Sequence, residues 1–525
     1  MKDLTSSSYT FEKLIRGNFL YVDKTEFIWE LVRPATGLYF LSRPRRFGKS
    51  LTLSTLKAVF EGRRELFRGL AIGDKQTYDW RPYPVIHLNL GDCDARTPDD
   101  LRQYLADMLQ DLALAHGLTT AVVPSQLATS FRRIITAITA QSQVVVLVDE
   151  YDKPILNNLQ NKHVQDILDA LKGLLCVLKD REPQERFVLV TGVSKFSHVS
   201  MFSELNNLTD LSMHPDFATM LGYTQAELEA AFDEHISDAT KRLEMPRGQL
   251  LDDLREWYDG YRFEEGAEPV YNPVSVASFF NGGCKFRNFW FSTGTPSFLL
   301  KLMRDRDCRF EDILGRPVSD EAFSAFEVDR IDPLVLLYQT GYLTIRSAET
   351  EDFETLYRLD FPNREVGMSF SAALLASCSG RDDIDTTDFL ASLAAALRDG
   401  DMPLLRNALD AFLAGIPYDL HRKSENNFQN IIFAIFRLLG YRFKVEQRTS
   451  SGRADAVCET RDWIYILEFK LNGDTSALDQ IRDRRYFAPY LADSRRIMLV
   501  GVALDTAKGT IADWRCEELD RTSLA

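Results

Sequence analysis

Gly48, Lys49 and Ser50 are the residues whose types and spacing point most clearly to chemistry. They follow an apolar strand pattern at residues 38–42 and open an apolar helix pattern. In such a turn, the backbone N–H groups and the positive end of the helix face an anion. Lys49 would reach the β and γ oxygens of a nucleoside triphosphate, and the Ser50 hydroxyl would hold Mg²⁺. The segment therefore predicts a site for ATP or GTP.

This loop departs from the usual phosphate-loop pattern at its first position, where Arg43 replaces a glycine. The alternative is a basic strand-to-helix turn that contains Gly-Lys-Ser by chance. Arg45 and Arg46 could clamp phosphate, contact a neighbouring subunit or contact DNA, and the sequence does not choose among these roles. The loop residues that we assign to the nucleotide are Arg45, Arg46, Phe47, Gly48, Lys49, Ser50 and Leu51.

A second part of a nucleotide site follows about a hundred residues later, where the apolar run 144–148 ends in Asp149 and Glu150. A continuous apolar run is typical of a strand that is buried on both faces of a parallel sheet. Asp149 would ligate the magnesium ion, and Glu150 would polarise the attacking water. The alternative is a core strand that simply ends at the surface. A third strand at residues 187–193 ends at Ser194, which is suited to cap a helix.

Asp455, Glu468 and Lys470 form a second group near the C-terminus. Asp455 and Glu468 would lie on adjacent strands of a hairpin that turns at residues 460–462. Glu468 and Lys470 would share one face of their strand, and Phe469 would point to the other. A divalent metal would relieve the repulsion between the carboxylates and hold a water that attacks phosphorus, while Lys470 steadies the developing charge. The alternative is a solvated sheet face, where Glu and Lys are ordinary neighbours.

The elements that must position these residues follow different patterns along the chain. Residues 1 to about 215 alternate strand and helix signals, which predicts an α/β fold with a parallel sheet and helices on both faces. The middle is mainly helical. The last part opens with a helix that ends at Gly440, and strands follow at residues 443–447, 454–459, 463–470 and 497–502. We predict three domains, at residues 1–215, 216–415 and 416–525.

Composition fits a folded soluble protein, because 45% of the 525 residues are apolar and 26% are charged. No stretch approaches twenty apolar residues, the N-terminus lacks a signal-peptide core, and the seven cysteines lack metal-ligand spacing. These features predict a cytoplasmic protein with no membrane partner. The net charge of −15 does not exclude nucleic acid, because residues 421–525 hold 17 Lys+Arg against 15 Asp+Glu.

The chain resembles bacterial proteins that join an AAA-ATPase-like N-terminal domain to a C-terminal PD-(D/E)XK nuclease-like domain. The phosphate loop of that family also lacks the first glycine, so the resemblance implies that the loop with Arg43 binds ATP. The segments that carry the resemblance are Tyr21-Val22-Asp23-Lys24-Thr25, Arg43-Pro44-Arg45-Arg46-Phe47-Gly48-Lys49-Ser50, Asp149-Glu150-Tyr151-Asp152-Lys153-Pro154, Thr191-Gly192-Val193-Ser194-Lys195-Phe196, Trp290-Phe291-Ser292-Thr293-Gly294-Thr295-Pro296 and Phe361-Pro362-Asn363-Arg364-Glu365-Val366.

The resemblance implies a P-loop NTPase core of the AAA type, a helical middle compatible with a winged-helix-like part, and a restriction-endonuclease-like α/β domain at the end. In the ATPase core, Ser194 matches a polar position that senses the γ-phosphate. The family pattern has a proline before the first nuclease carboxylate, and Ala454 stands at that position here. An alanine suits a strand interior better than a proline does.

At the C-terminal site, the resemblance carries roles over residue by residue. Asp455, Glu468 and Lys470 match the nuclease core, with Asp455 and Glu468 as the metal ligands. Glu425 matches an acid of the preceding helix, and Gln480 matches a helix residue that supports the site. The implied cofactors are ATP and Mg²⁺, and Mn²⁺ would also suit the second site.

Two functions from different classes are open at this stage. In the first, ATP controls a magnesium-dependent phosphodiesterase that cuts DNA in genome defence or maintenance. In the second, the protein is a nucleotide-gated switch or scaffold whose last domain binds nucleic acid or a partner without cutting. The complete set of Asp455, Glu468 and Lys470 favours the first, and the sequence leaves a homo-oligomer open.

Overall fold

The structure is a computed structural model. The chain forms two compact units. The first comprises Met1–Trp290 and Pro317–Asn363, and the second comprises Phe291–Arg316 and Arg364–Ala525. Within them the structure describes residues 1–5, 10–140, 142–195, 207–290, 297–305, 307–324, 332–351, 354–380, 383–416, 425–440, 444–447, 456–471, 474–506 and 508–521. The predicted division at residues 215 and 415 stays a prediction, because compact units need not coincide with the domains of a sequence family.

Helices and strands are numbered along the chain. The helices are α1 Phe11–Arg16, α2 Thr25–Val32, α3 Lys49–Phe60, α4 Pro98–Ala115, α5 Leu127–Ile138, α6 Lys153–Leu156, α7 Val164–Asp180, α8 Gln225–Ala231, α9 Asp233–Leu243, α10 Arg247–Tyr258, α11 Pro273–Asn281, α12 Ser297–Asp305, α13 Phe310–Gly315, α14 Asp320–Ser324, α15 Pro333–Gln339, α16 Arg364–Ser379, α17 Asp383–Asp399, α18 Met402–Ala414, α19 Glu425–Gly440 and α20 Ala477–Asp483. The strands are β1 Gly37–Ser42, β2 Val85–Asn89, β3 Val144–Asp149, β4 Glu185–Gly192, β5 Thr209–Asp210, β6 Val318–Ser319, β7 Thr344–Glu351, β8 Glu354–Asp360, β9 Lys444–Gln447, β10 Ala456–Glu459, β11 Trp463–Lys470, β12 Arg496–Asp505 and β13 Thr510–Glu518.

The first unit is built on a parallel sheet with the strand order β2-β3-β4-β1-β5. Every residue of β3 and β4 is buried, so both faces of these strands are covered. The predicted α/β fold is thereby confirmed, and the apolar run at residues 144–148 forms β3 together with Asp149. Because β4 lies between β1 and β3, the ends of all three strands meet at one edge of the sheet.

A small antiparallel sheet with the order β6-β8-β7 belongs to the same unit. Its strands enclose α14 and α15 in the sequence, an order compatible with the expected winged-helix-like part. Helix α15 is buried along its whole length, from Pro333 to Gln339. It therefore offers no free face to a ligand as large as nucleic acid.

The second unit contains a mixed sheet with the order β13-β12-β11-β10-β9. Strands β11 and β12 are parallel, and the other pairs are antiparallel. The Tyr465 hydroxyl of β11 donates to the Leu397 carbonyl of α17 at 2.7 Å, and the Ile511 N–H of β13 donates to Asp410 of α18 at 3.0 Å. These bonds join helices from before residue 415 to the C-terminal sheet. None of the helices among the described residues is long and apolar enough to cross a membrane.

Glu185 begins β4 at the end of the sheet opposite to the loop, and its side chain is buried. Neither carboxylate oxygen has a hydrogen-bond partner within the part of the chain that the structure describes. Burial, assisted by the nearby charge of Glu182, raises the pKa of Glu185 from 4.5 to about 8. The folded protein therefore retains a proton that the unfolded chain releases near pH 4.5.

We expect Glu185→Gln to stabilise the protein at pH 8 by on the order of 2 kcal/mol and to have little effect at pH 5. Because the folded state binds the extra proton, the wild-type free energy of unfolding should fall as the pH rises from about 4.5 to about 8. The amide does not titrate, so this slope should be reduced in the variant. Urea unfolding at several pH values measures it, and parallel profiles for the two proteins would contradict the assignment.

Candidate functional site

The loop between β1 and α3 has the shape of an anion cradle. Gly48 has φ 95°, in the left-handed region that favours glycine, and no atom of the described residues lies within 4 Å of where its Cβ would be. Lys49 is buried inside the loop, where its ammonium donates to the carbonyls of Arg43 at 2.7 Å and Pro44 at 2.9 Å. The space beside Gly48 is open, as a phosphate site at this turn would require.

The guanidinium of Arg43 points away from this cradle. Its Nη1 donates to the Ser42 carbonyl at 2.9 Å and the Ser212 carbonyl at 2.6 Å, and its Nη2 donates to the Phe217 carbonyl at 3.2 Å. The guanidinium carbon lies 4.1 Å from the centre of the Phe263 ring. Burial lowers the pKa of Arg43 to about 10, so the group is still protonated at neutral pH. An arginine in place of the usual glycine therefore leaves the phosphate position free.

Aromatic side chains from later in the chain hold the loop on its outer side. The Phe47 ring is 1% exposed and lies 4.7 Å from the Tyr261 ring, edge to face. The Trp290 indole N–H donates to the Arg45 carbonyl at 3.0 Å. Phe47 can therefore offer only its backbone to a nucleotide, whereas the Arg45 and Arg46 side chains are exposed. The backbone of Arg46 lies in the left-handed region, with φ 67°.

The carboxylates expected for the magnesium ion and the water stand at the end of β3. Asp149 is buried, and its Oδ1 accepts from the Thr191 hydroxyl at 2.9 Å and from the Glu150 N–H at 3.0 Å. Glu150 has φ 50°, and its Oε2 lies 3.3 Å from where a Cβ on Gly91 would be. Burial lowers the pKa of Lys49, and nearby carboxylates, that of Asp149 first among them, oppose this shift. The structure thus brings Lys49, Asp149 and Glu150 together.

Ser194 is fully buried and is bound to Asp152. One oxygen of Asp152 accepts from the Val193 N–H at 2.9 Å and from the Ser194 N–H and hydroxyl, each at 2.6 Å. A Cβ on Gly192 would lie 2.7 Å from the other Asp152 oxygen, so glycine is needed there. This bond gives Ser194 a structural role, while the predicted contact with the γ-phosphate stays a prediction. The alternative role as a helix cap depends on residues 196–206, outside the described residues.

Thr191 and Asp152 hold residues of the candidate site in place, and the sequence alone assigned neither of them a role. Thr191 orients the Asp149 carboxylate, and Asp152 fastens the end of β3 to the end of β4. A signal for Thr191 was available, because it is a hydroxyl residue within the otherwise apolar run at residues 187–193. Asp152 lies in the segment from Asp149 to Pro154 that carries the family resemblance, but its spacing from Asp149 indicated no role for it.

In the second unit, Glu468 and Lys470 meet Gln480 at the C-terminal end of β11. Glu468 is 2% exposed, and its Oε1 accepts from the Lys470 ammonium at 3.2 Å and from the Gln480 side-chain amide. The same amide nitrogen donates to the Tyr486 hydroxyl at 3.2 Å. The ammonium and the amide together hold the buried Glu468 carboxylate in one orientation, as the supporting partners of a metal ligand do.

Close packing of α20 on the sheet explains how Gln480 reaches this position. Gly501 of β12 pairs with Glu468, and a Cβ on Gly501 would lie 2.5 Å from the backbone nitrogen of Leu478. Only glycine lets the helix lie so close to the strand. On the other face, the Phe469 ring contacts Phe436 of α19 at 5.6 Å, which fits the predicted alternation of Glu468, Phe469 and Lys470.

Two predicted members of this site are not described in full. Asp455 lies outside the described residues; its neighbour Ala456 pairs with Leu467, the neighbour of Glu468. Glu425 is the first residue of α19, and its side chain also lies outside the description. Among the described residues, no group of three or more His, Cys, Asp or Glu side chains could hold a metal ion. The oxygen donors proposed for the site suit hard cations such as Mg²⁺ or Mn²⁺.

Comparisons with known proteins match both of the regions that contain these residues. The profile of a family described as predicted AAA-ATPase matches residues 7–202, and that of the PD-(D/E)XK nuclease superfamily matches residues 423–514. The chain belongs to the family that joins these two domains. An uncharacterized protein in the vnfD 5′ region of Azotobacter chroococcum mcd 1 is 36% identical over 531 residues, 99% of each chain.

A solved structure, that of a signal transduction ATPase with numerous domains (STAND) protein with a tetratricopeptide repeat sensor from Pyrococcus horikoshii, is more distant. It is 14% identical, with a TM-score of 0.19 over 80% of this chain and 58% of the other. The present chain thus spans less than two thirds of that protein.

Membership of the family assigns each centre to a domain. Lys49, Asp149 and Glu150 lie in the AAA-ATPase-like domain, and Asp455, Glu468 and Lys470 lie in the PD-(D/E)XK nuclease-like domain. The segment at residues 21–25, which carries part of the family resemblance, has a structural role. Lys24 donates to the Thr219 carbonyl at 2.8 Å and to Glu227 at 2.6 Å, which ties the start of the chain to α8.

We expect Arg43→Gly, although it introduces the glycine of the usual phosphate-loop pattern, to destabilise the protein by about 2–4 kcal/mol. The substitution removes three hydrogen bonds to backbone carbonyls and the contact with Phe263. Arg46→Gly is the matched control, because Arg46 is exposed with φ 67° and glycine adopts that conformation without strain. Urea unfolding compares the variants, and equal stabilities would refute the structural role of Arg43.

Proposed function

We propose that this protein binds and hydrolyses ATP and that the ATPase controls a magnesium-dependent phosphodiesterase that cuts DNA. Its setting would be the cytoplasm, in genome defence or maintenance. The observation that carries the proposal is the convergence of Glu468, Lys470 and Gln480 in a chain that also holds Lys49 beside Asp149. Each centre then handles phosphate, one on a nucleotide and the other on a polynucleotide.

ATP would occupy the loop of the first unit. The backbone N–H groups of residues 45–51 would bind its phosphates, and the Lys49 ammonium would move from the loop carbonyls to the β and γ oxygens. Ser50 and Asp149 would hold Mg²⁺, which neutralises charge on the phosphates. Glu150 would accept a proton from the attacking water. The Thr191 hydroxyl keeps Asp149 in one orientation during this step.

DNA would be cut at the second unit. Asp455 and Glu468 would hold Mg²⁺ or Mn²⁺, which lowers the pKa of a bound water and makes it a nucleophile. Lys470 would stabilise the negative charge that develops on the phosphate, and Gln480 would keep Glu468 in place. Glu425 would assist from the preceding helix.

Three further features belong to the proposal. All seven cysteines are free thiols, as is usual in a reducing cytoplasm. The exposed Arg45 and Arg46 would contact the triphosphate, a neighbouring subunit of a homo-oligomer or DNA. Ser194 would sense the γ-phosphate only through its bond to Asp152, because its hydroxyl is occupied there.

For the ATPase, we expect Lys49→Ala to abolish hydrolysis and Glu150→Gln to retain ATP binding while lowering turnover by about 10²–10⁴-fold. An amide cannot accept the proton of the attacking water, but it keeps the shape of the side chain. Lys57→Ala is the matched control, because Lys57 lies on the same helix with a half-exposed side chain paired with Glu61. Phosphate release and binding of a fluorescent ATP analogue measure both properties. Wild-type turnover in Lys49→Ala would disprove the loop assignment.

For the nuclease, we expect the wild type to cut DNA with Mg²⁺ or Mn²⁺, and Asp455→Ala and Glu468→Gln each to abolish cleavage. Asp462→Asn is the control, because Asp462 is exposed in the turn at the opposite end of β11. Gel assays on single- and double-stranded DNA and RNA, with and without ATP, test these outcomes. If the wild type leaves every substrate uncut but binds DNA in an ATP-dependent way, the nucleotide-gated switch is the better description.

A further inference from the structure

The turn that follows α20 carries Arg484 and Arg485 beside the nuclease-like site. Helix α20 ends at Asp483. Tyr486 lies three residues later, and its hydroxyl accepts a hydrogen bond from the Gln480 side chain. Because Gln480 also donates to Glu468, one side-chain amide connects this turn to the buried carboxylate. The turn is therefore fixed relative to the place where a phosphodiester would be cut.

Both arginines of this turn are exposed and differ from their neighbour Arg482 in their surroundings. Arg482 pairs with Glu517, and it lies 3.6 Å from Asp479. Among the residues that the structure describes, neither Arg484 nor Arg485 has an acidic partner. Their positive charges are thus available to a ligand, whereas that of Arg482 is neutralised within the domain.

The backbone conformation of Arg485 is a second, independent observation that favours a functional role for this turn. Arg485 has φ 50°, in the left-handed region, directly after the helix C-cap at Arg484. The Tyr486 N–H bonds back to the Ile481 carbonyl at 3.2 Å, as in helix ends at which glycine is preferred. A residue with a side chain is strained there relative to glycine. Arginine is therefore a poor choice for stability, and such strain clusters at functional positions.

We propose that the turn of Arg484, Arg485 and Tyr486 is a contact surface for the phosphate backbone of nucleic acid. The two guanidinium groups would bind phosphates next to the one at Glu468, and the bond from Gln480 to Tyr486 sets the position of the turn. Such contacts give affinity without sequence preference. This inference rests on the proposed function, because it takes DNA as the ligand of the second unit.

Fluorescence anisotropy of labelled single- and double-stranded DNA tests the proposal with the full chain, without added Mg²⁺. Arg484→Ala with Arg485→Ala should weaken binding roughly tenfold or more and reduce the slope of log K against log salt by about 1–2. Arg461→Ala is the matched control, because Arg461 is exposed in the turn between β10 and β11, at the other end of β11 from Glu468. It should bind as the wild type does.

Arg485→Gly separates function from folding. It should weaken DNA binding severalfold while leaving the midpoint of urea unfolding unchanged or higher, because glycine relieves the left-handed strain. A merely structural arginine would give wild-type binding. Wild-type affinity and salt slope in the double variant, in a protein that does cut DNA, would overturn this inference and leave the proposed function standing. Salt-sensitive binding that depends on both arginines, without any cleavage, would support the inference and count against the nuclease. A wild type that binds no DNA would overturn both.

Discussion

The burial of the Arg43 guanidinium is the interaction on which the nucleotide cradle depends. A cation that remained in the loop would fill the space that a phosphate needs. Instead, the guanidinium lies among backbone carbonyls and the Phe263 ring, where its two terminal nitrogens are hydrogen-bonded and link β1 to residues 212–217. Closely packed neighbours reinforce this arrangement: a Cβ on Gly341 would lie 2.5 Å from Pro44, at the base of the same loop. The cradle is thus held by residues far from it in sequence.

The second centre depends on a different constraint, the close approach of a helix to a sheet. Glu468 is deeply buried and needs hydrogen-bond partners, and Lys470 and Gln480 supply them. Gln480 can do so because Gly501 has no side chain to separate α20 from β12. The alternation of β11 places its phenylalanine against α19, on the other face. Of these two neighbouring residues of β11, Glu468 therefore belongs to the site and Phe469 packs in the core.

The small sheet of the first unit bears on where nucleic acid would bind. Its order is compatible with a winged helix, a motif often associated with DNA, yet α15 is buried along its whole length. Gln339 at the end of this helix accepts from the Lys195 N–H at 3.1 Å, directly after Ser194. This segment is thus built into the ATPase-like unit as a support. That leaves the second unit as the place where we propose contact with DNA.

The sequence by itself determined the elements whose signals are local. The apolar run of β3, the Gly-Lys-Ser turn and the alternation in β11 were predicted because neighbouring residues decide strand burial, turn geometry and side-chain direction. The direction of Arg43, the support of Asp149 by Thr191 and the approach of Gln480 to Glu468 were decided only by the tertiary structure. Each depends on contacts between residues 12 to 174 positions apart, and no local pattern records which of many distant partners will be adjacent after folding.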